Sequence, residues 1–165
     1  MILFLDFDGV LHPDAVYLKK GRPVLHGAGE LFQWAPHLSS ALASHPNVAI
    51  VLSTSWARVL GFDRARGALP ELLRQRVIGA TWHSKMGRSV FGGFRLPECW
   101  WDQVSRYQQI AGYVRRAQLT EWVAIDDHGE AWADEHADNL VWTNPDKGIS
   151  DPLALATLHK RLTRS

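Results

Sequence analysis

Three apolar runs in this chain stop abruptly at polar residues, and that pattern constrains the fold more than anything else in the sequence. ILFLDF (2–7) opens the chain and closes around Asp6, with Asp8 two residues on; VAIVLS (48–53) runs into Ser53-Thr54-Ser55; WVAID (122–126) ends on Asp126, with Asp127 next. Continuous β-branched and apolar runs of this length read as fully buried strands of a parallel sheet. Carboxylates cost several kcal/mol to bury unpaired, so acids at such strand ends call for a compensating charge.

Between these runs the pattern alternates. VYLKKGRPVLH (16–26) reads as a hairpin around a Lys-Lys-Gly-Arg turn. Residues 28–44 carry helical spacing, with Pro36 starting or kinking the helix. A short helix is expected at 55–60, another at 70–75, a strand at 76–81, a helix over 103–116, a helix in EAWADEH (130–136) and a strand at 139–143. DPLALATLHKRL (151–162) ends in an amphipathic helix that Asp151 is placed to cap. Strands alternating with helices predict an α/β fold, a Rossmann-like three-layer sandwich on a central parallel sheet. Residues 82–102 have no clear period and read as a small insert or loop beside the site, within a single domain over 1–165.

Composition narrows the class. One cysteine, Cys99, leaves no intramolecular disulfide and suggests a reducing, cytoplasmic setting. No stretch approaches the ~20 apolar residues of a membrane span. The net charge of +1 is uneven: residues 58–95 hold eight Lys/Arg against two Asp/Glu, while 96–165 hold seven against eleven. That basic middle segment is either a solvated surface or a face for an anionic partner. Trp82, Phe91, Phe94, Trp100 and Trp101 lie in or beside it and would suit base stacking in a nucleic acid, or plain packing.

In a parallel sheet, ligands sit outside the carboxyl ends of the strands, near a topological switch point. Asp6, Asp8, Asp126 and Asp127 would then meet one hydroxyl at a single sheet edge. Four carboxylates there repel one another unless a cation intervenes, and oxygen ligands suit a hard ion such as Mg²⁺. The eight histidines form no HExxH and there is no cysteine pair, so no other metal signature competes. His12, His83 and His128 flank the motifs and read as surface or supporting side chains.

DFDGV, VAIVLST and VAIDD, in that order, resemble the first, second and fourth motifs of the haloacid dehalogenase (HAD) superfamily. DFDGVLHP and STSW resemble, more finely, a capless or small-cap branch associated with RNA-end repair. The resemblance implies a Mg²⁺-dependent phosphatase in which Asp6 attacks phosphorus and Asp8 is general acid, then base. It implies that Thr54, or Ser53 in the alternative register, contacts the phosphoryl group. Asp6, the Asp8 carbonyl, Asp126 and Asp127 would hold the metal, and Gly9 would permit the turn after the strand.

A third-motif cation is expected at Arg106, with Lys85 as the alternative. Ser55 and Arg58, just past Thr54, would border the phosphate pocket with Trp56. The intervals between motifs leave room for only a minimal cap, so large substrates such as phosphorylated nucleic-acid ends can enter, and a monomer or weak dimer is expected. Competing readings are a phosphotransferase or dehalogenase on the same fold, or a non-catalytic RNA- or protein-binding module.

Overall fold

The computed structural model describes residues 1–84, 90–91, 94–95 and 100–163, with side chains left aside at 90–91, 94–95 and 100. In chain order it runs through β1 (Ile2–Leu5), a hairpin of β2 (Val16–Lys19) and β3 (Arg22–Leu25), α1 (Ala35–Leu42) and β4 (Ala49–Leu52). Three short helices follow, α2 (Ser55–Val59), α3 (Phe62–Ala68) and α4 (Glu71–Arg74), then β5 (Val77–Ala80). After them come a small hairpin, β6 (Val90–Phe91) and β7 (Phe94–Arg95), the helices α5 (Trp100–Gln103) and α6 (Arg106–Ala117), then β8 (Trp122–Asp126), β9 (Leu140–Trp142) and α7 (Pro152–Leu162).

Five strands form one sheet in the order β5-β4-β1-β8-β9, and every neighbouring pair is parallel. The chain leaves β1 toward β4 on one side and returns to β8 on the other, so β1 lies at the switch point. Register aligns the three polar strand ends. Leu5 pairs with both Leu52 and Ile125, the Ser53 N–H donates to the Leu5 carbonyl at 2.8 Å, and the Asp6 N–H donates to the Ile125 carbonyl at 3.2 Å. The expected α/β architecture with a parallel sheet is therefore present, and the β2–β3 hairpin occupies the first interval.

Side chains alternate across the sheet, as strand geometry requires. Leu3, Leu5, Ile50, Leu52, Val123 and Ile125 face the larger core, which they share with α1, α4 and α7. Phe4, Val51, Trp122 and Ala124 face the smaller one, closed by Ile110, Tyr113 and Val114 of α6. Continuing the alternation, Asp6 follows Phe4 and Asp126 follows Ala124 on the α6 side. Both acids are buried, 2% and 0% exposed.

Several elements differ from the sequence-based expectation. Residues 28–34 are not helical: Gly29 has φ 115° and Phe32 φ 62°, and α1 begins only at Ala35, with Pro36 in its first turn where the missing N–H is harmless. The helix expected from residue 103 starts at Arg106, because Ser105 and Gln108 form a reciprocal capping box. EAWADEH makes no α-helix. Extended backbone at Ala133 breaks it, Trp132 packs against Trp122 at 6.4 Å, and only a 3-10 turn at Asp134–Asn139 follows. Helix α3 was not expected from the sequence. Asp151 does cap α7, accepting from the Leu153 N–H at 2.9 Å.

Arg76, just before β5, ties the larger core's edge together. Its guanidinium donates to the carbonyls of Leu42 at 2.9 Å, His45 at 2.8 Å and Val48 at 3.2 Å, satisfying acceptors at the end of α1 and the turn into β4. Arg76→Ala should lower stability by about 1–3 kcal/mol, since hydrogen bonds from a charged donor lie in that range. Denaturant unfolding measures it, and an unchanged midpoint would contradict this role.

Candidate active site

The site is built where β1, β4 and β8 end. Asp6 accepts the Phe7 N–H at 2.7 Å through Oδ1 and Arg106 Nη2 at 3.1 Å through Oδ2. Arg106 Nε lies 3.2 Å from Asp126 Oδ2, so one guanidinium spans both buried acids. Arg106 reaches them because it is the first residue of α6, directly after the Ser105 cap. Its Nη1 donates to Gln109 Oε1 at 3.3 Å, and Gln109 Nε2 donates to the Trp101 carbonyl at 2.9 Å, which fixes the side chain from behind.

Asp127 stands beside this pair against Gly9. A Cβ on Gly9 would come 2.6 Å from Asp127 Cγ, and the φ of +66° is itself one that side-chain-bearing residues resist. Gly9 is therefore required twice, by its backbone angle and by the approach of Asp127. Its carbonyl accepts the buried Thr143 hydroxyl at 2.9 Å, pinning the turn to the end of β9.

Ligand atoms of Asp6, Asp126, Asp127 and His128 all lie within 4.8 Å of one another. His128 Nδ1 lies 2.6 Å from Asp127 Oδ1 and 3.6 Å from Asp126 Oδ1. Hydrogen bonding and charge from these two carboxylates, against partial burial, raise the imidazole from 6.5 to about 9.

Burial is the largest influence on Asp6, and it lifts the carboxyl from 3.8 to about 8; Arg106 pulls it down, while Asp126 and Asp8 push it further up. Burial also raises Asp127. Against desolvation, the acids raise Arg106 above its ordinary value. Asp126 Oδ2 is buried and, despite its proximity to Arg106 Nε, receives no hydrogen bond. Three crowded carboxylates, one with an orphaned buried oxygen, fit a hard divalent cation.

Asp8 lies differently. Its carboxylate is outside the acid cluster, with Oδ1 3.1 Å from His12 Nε2 and Oδ2 accepting the Trp56 indole N–H at 3.0 Å. His12 is not a surface residue: it is fully buried. The Asp8-x-x-x-His12 spacing, a single turn after the strand, was the signal in the sequence for that contact.

At the end of β4, Ser53 and Thr54 are both fully buried. Ser53 Oγ has no hydrogen-bond partner, while Thr54 Oγ1 caps α2 by accepting from the Trp56 N–H at 3.4 Å. Ser55 is exposed and lines two of the cavities around the site. One, about 180 Å³, lies between the β2–β3 hairpin and α2 with Asp8, Tyr17 and Trp56 in its wall; the other, about 290 Å³, lies beside Arg106, Trp101 and His128.

The structure does not bring Arg58 into this group. Its guanidinium pairs with Asp102, joining α2 to α5, and it lines neither cavity. Lys85 lies outside the described residues, as do the side chains of Phe91, Phe94 and Trp100. Trp82 is half-buried, and Trp101 is buried rather than exposed, with Arg106 Cζ 6.0 Å from its ring centroid.

A parallel sheet whose switch-point strand ends in acids, and whose neighbours supply more acids and hydroxyls, places the chain among α/β enzymes that act at the sheet's carboxyl edge. It belongs to the HAD superfamily, in the family described as "HAD domain in Swiss Army Knife RNA repair proteins", whose model matches residues 2–154. No curated protein and no solved structure matches the chain. Among the described residues, no helix is long and apolar enough to cross a membrane.

The electrostatics set a pH dependence. For Asp6, an acid raised from 3.8 to about 8, the unfolded chain releases its proton first, so folding stability declines as pH climbs between those values. For His128, a base raised from 6.5 to about 9, stability present below 6.5 is lost as pH rises through 9. Both act in the same direction. Chelator-treated protein should therefore unfold at steadily lower denaturant concentration as pH is raised from about 5 to about 9. Asp6→Asn should flatten the acidic part of that slope, and a flat profile in the parent protein would contradict the charge arrangement.

Proposed function

We propose that the chain is a Mg²⁺-dependent phosphoester hydrolase working through an aspartyl-phosphate on Asp6. The observation that carries this reading is the Asp6 carboxylate held 3.1 Å from Arg106 in a cluster of acids, with Asp8 on the adjoining turn. Asp6, Asp126, Asp127 and the Asp8 carbonyl would hold the cation, which supplies charge neutralisation for a phosphate approaching a carboxylate.

In the first half-reaction an Asp6 oxygen forms a bond to phosphorus and the bond to the leaving oxygen breaks. The electron pair stays on that oxygen, which takes a proton from Asp8. In the second, Asp8 accepts a proton from water as the water oxygen attacks phosphorus, and the bond to Asp6 breaks with its electrons returning to the carboxylate. Arg106 holds Asp6 in line and offers positive charge to the phosphoryl oxygens. Ser53, Thr54 or Ser55 supplies a hydroxyl at the end of β4.

For the substrate, we favour phosphorylated nucleic-acid ends. The family's description names RNA repair, the first interval holds only a short hairpin and one helix, and the cavity beside Asp8 has aromatic walls in Tyr17 and Trp56. Lys19, Lys20 and Arg22 are exposed at the hairpin tip, where a phosphate backbone could run.

A panel of p-nitrophenyl phosphate and 3′- and 5′-phosphorylated oligonucleotides tests the proposal. Turnover should require Mg²⁺, vanish in EDTA and fall by at least about 1,000-fold in Asp6→Asn. Phosphoester turnover that survives EDTA would remove the Mg²⁺ requirement. Activity unchanged in Asp6→Asn would remove the assigned nucleophile, and salt-sensitive RNA binding without turnover would favour a binding module.

A further inference from the structure

We infer that His12 and Trp56 are positioning residues for Asp8, a two-point clamp that fixes the carboxylate for proton transfer to the leaving oxygen; this rests on the phosphoester reading above. Each oxygen of Asp8 meets its own nitrogen donor, His12 Nε2 at 3.1 Å and Trp56 Nε1 at 3.0 Å. With both oxygens held from outside the acid cluster, rotation of the carboxylate about its last bond is arrested. One lone-pair site per oxygen stays open for a proton or substrate.

The His12 tautomer follows from the backbone. The Phe32 N–H donates to His12 Nδ1 at 3.2 Å, so Nδ1 is the acceptor and the ring proton sits on Nε2, facing Asp8. Phe32 makes this bond from a φ of 62°, a conformation a phenylalanine rarely holds. A strained residue whose N–H selects one tautomer of a fully buried histidine is a device for orientation. Three rings hold the arrangement rigid: His12 meets Phe32 edge-on at 5.0 Å, Phe32 meets Trp56 at 5.4 Å, and Phe7 meets both, at 5.2 and 5.4 Å.

The clamp has a chemical signature that packing alone does not have. If Asp8 is aimed by these donors, losing one matters most for leaving groups that need the proton. kcat/KM stops at departure of the leaving group, so it isolates that step from hydrolysis of the aspartyl-phosphate. Phenol, with a pKa of about 10, needs protonation far more than p-nitrophenol does. In His12→Phe and in Trp56→Phe, kcat/KM for phenyl phosphate should fall about 100-fold, while that for p-nitrophenyl phosphate falls less than about threefold.

The same variants should show a burst of p-nitrophenol, because water activation by a misaligned Asp8 slows the second step. His12→Gln, which returns an N–H toward Asp8, should recover most of the phenyl phosphate activity.

Thermal unfolding of each variant separates orientation from collapse, and Trp56→Phe decides alone if His12→Phe does not fold. Equal losses on the two substrates, or none, in a folded variant overturn the clamp. If the parent protein shows no turnover that Asp6→Asn abolishes, the phosphoester reading fails instead. An intact parent with variants insensitive to the leaving group condemns only the clamp.

Discussion

The structure depends on one charge arrangement: two carboxylates, Asp6 and Asp126, withdrawn from water and bridged by Arg106. Removing both acids from solvent is unfavourable by several kcal/mol each, and a single guanidinium cannot satisfy every oxygen. Everything around the site serves to make the bridge possible. Parallel pairing of β1 with β8 brings the two acids to the same level, alternation turns both toward α6, and the Ser105 cap starts α6 where its first residue meets them. Hydrophobic residues of similar volume are often as stable as such a buried charged group, so stability alone does not explain the charges.

The two aspartates of DFDG, two residues apart, occupy opposite environments. Asp6 stands among charges, where burial and neighbouring acids raise it to about 8. Asp8 stands among rings, held by neutral N–H donors from His12 and Trp56. The turn at Gly9 produces this separation: strand geometry would have set both carboxylates on one face, but β1 ends at Leu5 and the chain curls back so that Asp8 bridges to His12. A carboxylate pair with distinct surroundings is how one site accommodates two roles.

Strand existence and a parallel sheet were legible in the sequence because buried strands are written as apolar runs, and WVAID matches β8 residue for residue. The acid cluster was legible because its members end those runs. Arg106 was legible only as a choice, since nothing in a helix's own sequence says which cation lies against which strand end; the Ser105…Gln108 box was the local clue to where that helix begins. His12 read as peripheral because its function lies in a tautomer, and the tautomer is set by the N–H of Phe32, twenty residues away. EAWADEH misled because its helical composition is overridden by Trp132 docking on Trp122. Propensity lost there to packing.

Among the described residues of the basic run at 58–95, the arginines are engaged by the protein itself. Arg58 and Arg74 are neutralised by Asp102 and Glu71, Arg64 and Arg66 donate to the carbonyls of Gly21 and Arg74, and Arg76 is occupied by the end of α1. Those arginines stitch α2, α3 and α4 to their neighbours. Exposed positive charge also sits on Lys19, Lys20 and Arg22 at the hairpin tip, in the acidic first third of the sequence. Arg64, bonded to the Gly21 carbonyl between them, anchors that hairpin tip. The described arginines of this segment thus brace α2, α3 and α4, and one of them anchors the hairpin that carries three exposed cations.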